Sequence, residues 1–153
     1  MTLRAASLRD LDMLVRIINA AYLVERSFVD GDRISPETVR TLMRKGTFFL
    51  GEDDAGAACA CVYVELRGRR GYFGLLAVDP ERQRGGWGRR MIDAAEAHCR
   101  AAGCDAMDIR VVNLREELPP FYRRLGYVER GTEPFDDPRA FRPCHMIVMT
   151  KNL

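Results

Sequence analysis

Histidine is nearly missing from this chain of 153 residues, with His98 and His145 the only two. Histidine-based general catalysis therefore has few places to reside. His98 falls in a helical pattern and His145 in a terminal strand pattern, where structural or surface roles fit better. No apolar run approaches the length of a membrane span, so no spanning segment is expected. The opening stretch MTLRAASLRD lacks an apolar core ahead of its first acid, and the expectation is a soluble, cytoplasmic protein. Zinc-type cysteine spacing is also absent: Cys59, Cys61, Cys99, Cys104 and Cys144 are odd in number and irregularly placed. They read as reduced, mostly buried small residues, and no metal site is expected. The net charge of +2 gives no coherent basic face, and the arginines at 67, 69 and 70 have no interleaved aromatics. A nucleic-acid partner is therefore not expected. Repeats, linkers and low-complexity tracts are missing too.

What remains is one ordinary globular domain over residues 1–153, with 47% apolar and 30% charged residues. Thr2 to Ala6 reads as a short strand. Ser7-Leu-Arg-Asp10 has the form of a capping box, and Leu8, Leu11, Val15, Ile18 and Tyr22 then recur at helical spacing. Ser35-Pro36-Glu37 opens a second helix to about Lys45. Thr47–Leu50, Ala57–Leu66 and Tyr72–Val78, joined by tight charged turns, form an antiparallel meander. Gly86 to Ala102 carries the longest helical stripe, with Met91, Ile92, Ala95 and Cys99 on it, and Gly103 ends it. Ala106–Val112 is the strand after that crossover, so it lies parallel to the strand before. Pro119 and Pro120 are expected to delay a short helix to about Pro120–Leu125. Tyr127–Arg130 and Cys144–Met149 close the chain around a proline-broken loop. The fold class is α/β in the α+β sense: a mixed sheet with helices on both faces.

Between strand and helix stand Gly85, Gly86 and Gly88, flanked by Arg82, Arg84, Arg89 and Arg90. Three glycines within four residues are costly in backbone entropy and need a steric reason. A sharp turn with close helix packing is one. A bound phosphate is the other, because the first amides of a helix lack internal acceptors and glycine lets a ligand approach them. Neither common nucleotide loop fits: Gly88 is followed by Arg89-Arg90 where Lys and Ser or Thr are needed, and the preceding strand is antiparallel, which excludes the dinucleotide fingerprint.

The run Gln83-Arg-Gly-Gly86-Trp-Gly88, preceded by Leu76-Ala-Val-Asp-Pro80, resembles the acyl-coenzyme A loop of the GNAT N-acetyltransferase superfamily. Phe121-Tyr-Arg-Arg-Leu-Gly-Tyr127 resembles that family's second hallmark, and the likeness is sharpest over residues 75 to 130. The resemblance implies a mostly antiparallel sheet of six or seven strands, splayed at a parallel pair formed by the fourth and fifth strands. It also implies acetyl-CoA as acyl donor and direct attack by an amine, without an acyl-enzyme. Carried onto this chain, the coenzyme contacts are Leu76, Ala77, Val78, Gln83, Arg84, Gly85, Gly86, Trp87, Gly88, Arg89, Asn113 and Tyr122. Trp87 is expected to pack in the core while offering its backbone. Tyr122 matches the tyrosine near the coenzyme sulfur and is the expected general acid. Among carboxylates, Glu65 ranks first as general base, and Glu25, Phe28, Tyr63 and Glu65 are expected to border the acceptor.

One departure from the family pattern stands out: Leu114 to Pro120 makes the interval from Asn113 to Tyr122 two residues longer than usual. Such a stiff insertion is expected to displace the Asn113 contact and to shape the acceptor pocket. The acceptor is expected to be a primary amine of a small molecule or short peptide. A protein N-terminus or lysine, or a non-catalytic acyl-coenzyme A sensor, are the alternatives. The last strands leave room for a homodimer.

Overall fold

The computed structural model describes all residues, Met1 to Leu153. Its strands are β1 (Thr2–Ala5), β2 (Thr47–Glu52), β3 (Ala58–Arg67), β4 (Arg70–Val78), β5 (Ala106–Val112), β6 (Val128–Pro134) and β7 (His145–Asn152). Its helices are α1 (Leu11–Ala21), α2 (Pro36–Lys45), α3 (Trp87–Ala101) and α4 (Leu118–Arg124). The strands form one sheet in the order β1-β2-β3-β4-β5-β7-β6. Every neighbouring pair is antiparallel except β4 with β5. No helix is long and apolar enough to cross a membrane.

Both faces of the sheet are covered, because its central strands carry apolar side chains on alternate sides. On one face Leu14 and Ile18 of α1 and Val39 of α2 pack on Phe48, Leu50, Cys61 and Tyr63. On the other, Met91, Ile92, Ala95 and Cys99 of α3 meet Val62, Val64, Met107 and Ile109. Completely buried, Leu14 stabilises the fold by about 2 kcal/mol relative to an exposed leucine. α3 comes so close to the sheet that a Cβ on Gly51 would lie 2.9 Å from the Trp87 ring. Trp87 is thereby fixed as a core residue, while its backbone opens the helix.

Local starts and stops follow their sequence signals with instructive exceptions. Ser7 and Asp10 do form the capping box, but over a 3-10 turn, and α1 begins only at Leu11. Ser35 caps α2 through the Thr38 amide at 3.2 Å, and Pro36 occupies the first turn. Pro119 and Pro120 do not delay α4. They lie inside its first turn, where a missing N–H costs nothing. β6 is longer than expected, reaching Pro134, because β7 supplies partners as far as Pro134 opposite His145.

The sheet is not uniformly closed. β4 and β5 are in register only at Arg70 with Ala106, Gly71 with Met107 and Tyr72 with Asp108. Beyond Tyr72 the two strands part. A bulge between Cys61 and Tyr63 of β3 coincides with Leu75 of β4 at φ +51°, a left-handed conformation that a leucine adopts only under local constraint. The bulge bends β4 away from β5 and leaves the β5-facing main-chain groups from Phe73 onward outside any ladder. A wedge opens there.

Candidate active site

The glycine-rich turn stands at the mouth of the wedge. Arg84 at φ +78° and Gly86 at φ +75° are both left-handed, which turns successive amides toward one side before α3 starts. None of the amides from Arg84 to Arg89 donates to a group of the chain; Arg90 N is the first that does, to Gly86 O at 3.1 Å. A Cβ on Gly86 or Gly88 would touch almost nothing, so space, and not packing, surrounds these positions. Unpaired donors, a helix N-terminus and open space together suit a diphosphate.

From this turn a groove of about 580 Å³ runs inward between Leu76 and Val78 of β4 and Leu118, Phe121 and Tyr122 of α4. Gln83, Arg84, Gly86, Trp87, Gly88 and Arg89 line its outer part, with Arg124 opposite. Tyr122 is at its inner end and also lines the next cavity, of about 140 Å³, which fills the split between β4 and β5. Tyr22, Leu76 and Leu118 share both spaces, so groove and cavity meet around the Tyr122 ring. Glu25, Arg33, Arg110, Phe135 and Met146 continue from the cavity into an outer vestibule of about 350 Å³.

Tyr122 is buried among Phe73, Phe121 and Tyr127, with ring centroids 6.1, 5.1 and 5.8 Å away. Its hydroxyl has no hydrogen-bond partner in the chain, and burial pushes the phenol above its ordinary range. It therefore stays protonated at neutral pH. Glu25 accepts from Arg115 Nη1 at 3.0 Å through Oε2, and Arg115 also reaches Glu117 at 3.1 Å. Burial raises the Glu25 carboxyl, over the opposing pull of Arg33 and Arg115. An acid that stays protonated and a carboxylate of raised basicity thus face one small cavity.

Several residues selected from the sequence lie elsewhere. Glu65 lines neither the groove nor the cavity: it accepts from Tyr63 Oη at 2.7 Å and from Arg67 Nε at 2.8 Å. Burial alone would raise its carboxyl, but those two donors carry it below the ordinary carboxylate range, the wrong direction for a base. Tyr63 packs against Phe48, 5.0 Å between centroids, on the α1 and α2 side of the sheet. Phe28 is buried with Val29 and Val112 and presents no surface to a ligand. Asn113 does not reach the groove either, because its Oδ1 accepts from His145 N at 2.8 Å and prolongs the pairing of β5 with β7. Ala77 turns into the α1 core, and Gly85 lies against the edge of Trp87.

The cysteines lie away from the groove and the cavity. All five are free, none lines the groove or the cavity, and burial raises Cys61 and Cys99 to about 12. At that value the thiolate population near neutral pH is negligible.

An acetyltransferase (GNAT) domain family matches residues 44–129, more than half of the chain, and this span includes the splayed strands, the turn and α4. The chain belongs to the GNAT acetyltransferase family. It is 29% identical over 133 residues to a mycothiol acetyltransferase of Propionibacterium freudenreichii, covering 81% of this chain and 42% of the relative. The curated relatives it matches are more than twice as long as the matched portion. Among solved structures, the ribosomal-protein-S18-alanine N-acetyltransferase from Escherichia coli superposes with a TM-score of 0.83 at 18% identity, covering 99% of this chain and 92% of that one. A phosphinothricin acetyltransferase from Sinorhizobium meliloti, solved in complex with AcCoA, gives 0.79 at 18% identity, covering 99% and 88%. At such identities the likeness establishes the GNAT fold, a seven-stranded sheet with one parallel pair.

Sequence reasoning missed Tyr22, Arg33, Arg110 and Arg115. Tyr22 reads as part of the apolar stripe of α1, and the three arginines sit among many in a chain with 24 lysines and arginines. Only Arg115 carried a signal, since it lies in the lengthened segment Leu114 to Pro120, and that segment is what brings it to Glu25.

Proposed function

We propose that this GNAT domain transfers the acetyl group of acetyl-CoA directly to the primary amine of a small molecule. The observation that carries the reading is the run of unpaired amides from Arg84 to Arg89 opening onto a groove that ends at the Tyr122 hydroxyl. The residues present fit the coenzyme. The turn can hold a diphosphate on main-chain N–H groups, with Arg84 and Arg89 beside it. The unladdered edge of β4 can bond the amides of a pantetheine arm, and Leu76, Val78 and Phe121 can cover its apolar stretches.

When bound, the thioester supplies an acyl carbon that an amine attacks, forming N–C as C–S breaks. Glu25 Oε1, free of Arg115, takes the proton that the amine gives up. Tyr122 Oη gives its proton to the departing sulfur. The enclosing apolar residues Phe73, Ile109 and Val111 keep bulk water from the acyl carbon. Because Glu25 lines the cavity and Glu65 does not, the base role moves to Glu25.

Thiol release with acetyl-CoA across a panel of amines and short peptides tests the proposal. Acceptor-dependent release supports it. Saturable acetyl-CoA binding with no release for any acceptor would replace it with a sensing role.

A further inference from the structure

The inner cavity holds two guanidiniums against one carboxylate. Arg33 and Arg110 line it together with Glu25, and every other lining side chain is neutral. Their commitments differ. Arg110 is already paired with Glu133 at 3.1 Å, and Glu25 spends Oε2 on Arg115. Arg33 makes no ion pair and no hydrogen bond. It stacks on the face of Tyr22, its guanidinium carbon 5.3 Å from the ring centroid, and its charge also pulls on the Glu25 carboxyl. The stacking holds this cation at a site that lines both the cavity and the vestibule.

A site for a polyamine needs the reverse balance, because a second ammonium here would meet an unneutralised guanidinium. Acids do occur farther out, where Asp136 and Asp137 line the vestibule but not the cavity. Asp137 is already taken by Arg139, at 3.0 and 3.1 Å. Outside the Arg110–Glu133 pair, the charged groups left to the cavity are therefore one carboxylate oxygen on Glu25 and the donor fork of Arg33, beside the unpartnered Tyr122 hydroxyl, with Phe73, Ile109, Val112, Phe135 and Met146 around them.

We propose that the acceptor is a small amino carboxylate with an apolar side chain: Glu25 receives its amine, and Arg33 receives its carboxylate in the planar, two-bond manner of a guanidinium. Arg33 is the specificity-determining residue and takes no part in proton transfer. This inference rests on the acetyltransferase reading for its chemistry, but the recognition can be measured without turnover.

The test uses L-leucine, L-methionine and L-phenylalanine, each beside its amide and its decarboxylated amine, with spermidine as a polyamine probe. For at least one set, kcat/KM for the free acid should exceed that for the amide and the amine by tenfold or more, and spermidine should be a poor acceptor. Arg33→Ala removes an exposed side chain with no structural bonds, so the fold should persist. It should lower kcat/KM for the acid 10- to 100-fold, lower that for the amide much less, and leave acetyl-CoA affinity by calorimetry unchanged. Arg33→Lys should recover part of the loss. In parallel, direct titration of the amino acids into the protein without coenzyme should give binding that Arg33→Ala weakens. Amides or spermidine turned over as well as the acids would overturn the proposal while leaving the acetyltransferase reading intact. Arg33-dependent binding of the acids without any thiol release would uphold the binding site and overturn the transferase reading. Failure of the acids in both titration and turnover would overturn the proposal.

Discussion

The two ends of the β4–β5 pair are built on opposite plans. At the Arg70 to Tyr72 end the strands share a ladder, and each face carries a polar staple. Arg70 reaches Asp108 with bonds of 2.8 and 2.7 Å, and Thr150 Oγ1 donates to the same carboxylate at 2.7 Å. On the α3 side, buried Glu96 accepts from Tyr127 Oη at 2.8 Å and from Lys151 at 2.9 Å, and Lys151 pairs in the sheet with Met107. At the other end, from Phe73 to Val78, β4 keeps its pairing with β3 but its β5-facing side has no ladder, and Glu25, Arg33 and Tyr122 line the space. The bulge at Leu75 divides the two regimes.

Mutations at the open end should alter chemistry and spare stability, and mutations at the closed end should do the reverse. The largest effect is expected for Tyr122→Phe, a drop of about 10²- to 10³-fold in kcat at unchanged acetyl-CoA affinity, measured by steady-state kinetics and calorimetry. Glu25→Gln should cost about 10²-fold in kcat/KM. The pH profile sharpens this: the base must be ionised, so activity should fall as pH drops through a Glu25 pKa lying above the ordinary carboxylate range, and the Gln variant should lose that limb. At the closed end, Glu96→Ala should lower the unfolding free energy by about 2 kcal/mol in denaturant titration, since it strands Lys151 and the Tyr127 hydroxyl. Asp108→Asn should cost less, about 1 kcal/mol, because half of the Arg70 side chain is exposed. Arg70 holds the Asp108 carboxyl below its ordinary range, so its contribution is present at neutral pH and lost as pH falls through that lowered value. The Asn variant should therefore lose less stability on acidification than the parent.

This division also explains what could be read in advance. Helix periodicity, the caps at Ser7 and Ser35 and the glycines at 85, 86 and 88 are local signals, and the elements and the glycine-rich turn follow from them. The contiguous Phe121–Tyr127 run marks Tyr122 in the sequence, and the structure sets its ring at the junction of groove and cavity. Alternation correctly put Glu65 and Tyr63 on one face of β3, but it could not show that the tyrosine hydroxyl and Arg67 would occupy that carboxylate. Asn113 has a polar side chain at a strand end, and whether it turns to a ligand or to His145 depends on β7, which lies far along the chain. Glu25 and Arg115 are ninety residues apart and meet only because the lengthened segment before α4 folds back over the wedge. Charged loop residues carry no periodicity, so their partners emerge only from the assembled fold.

The central claim is that the unpaired amides at the mouth of the wedge are a coenzyme diphosphate site. Amide hydrogen exchange with and without saturating acetyl-CoA tests it most directly. Saturable binding is expected with slowed exchange from Arg84 to Arg89 and no change along the distant edge formed by β1 and β2. Absence of binding, or binding that leaves exchange at Arg84 to Arg89 unaltered, would contradict it.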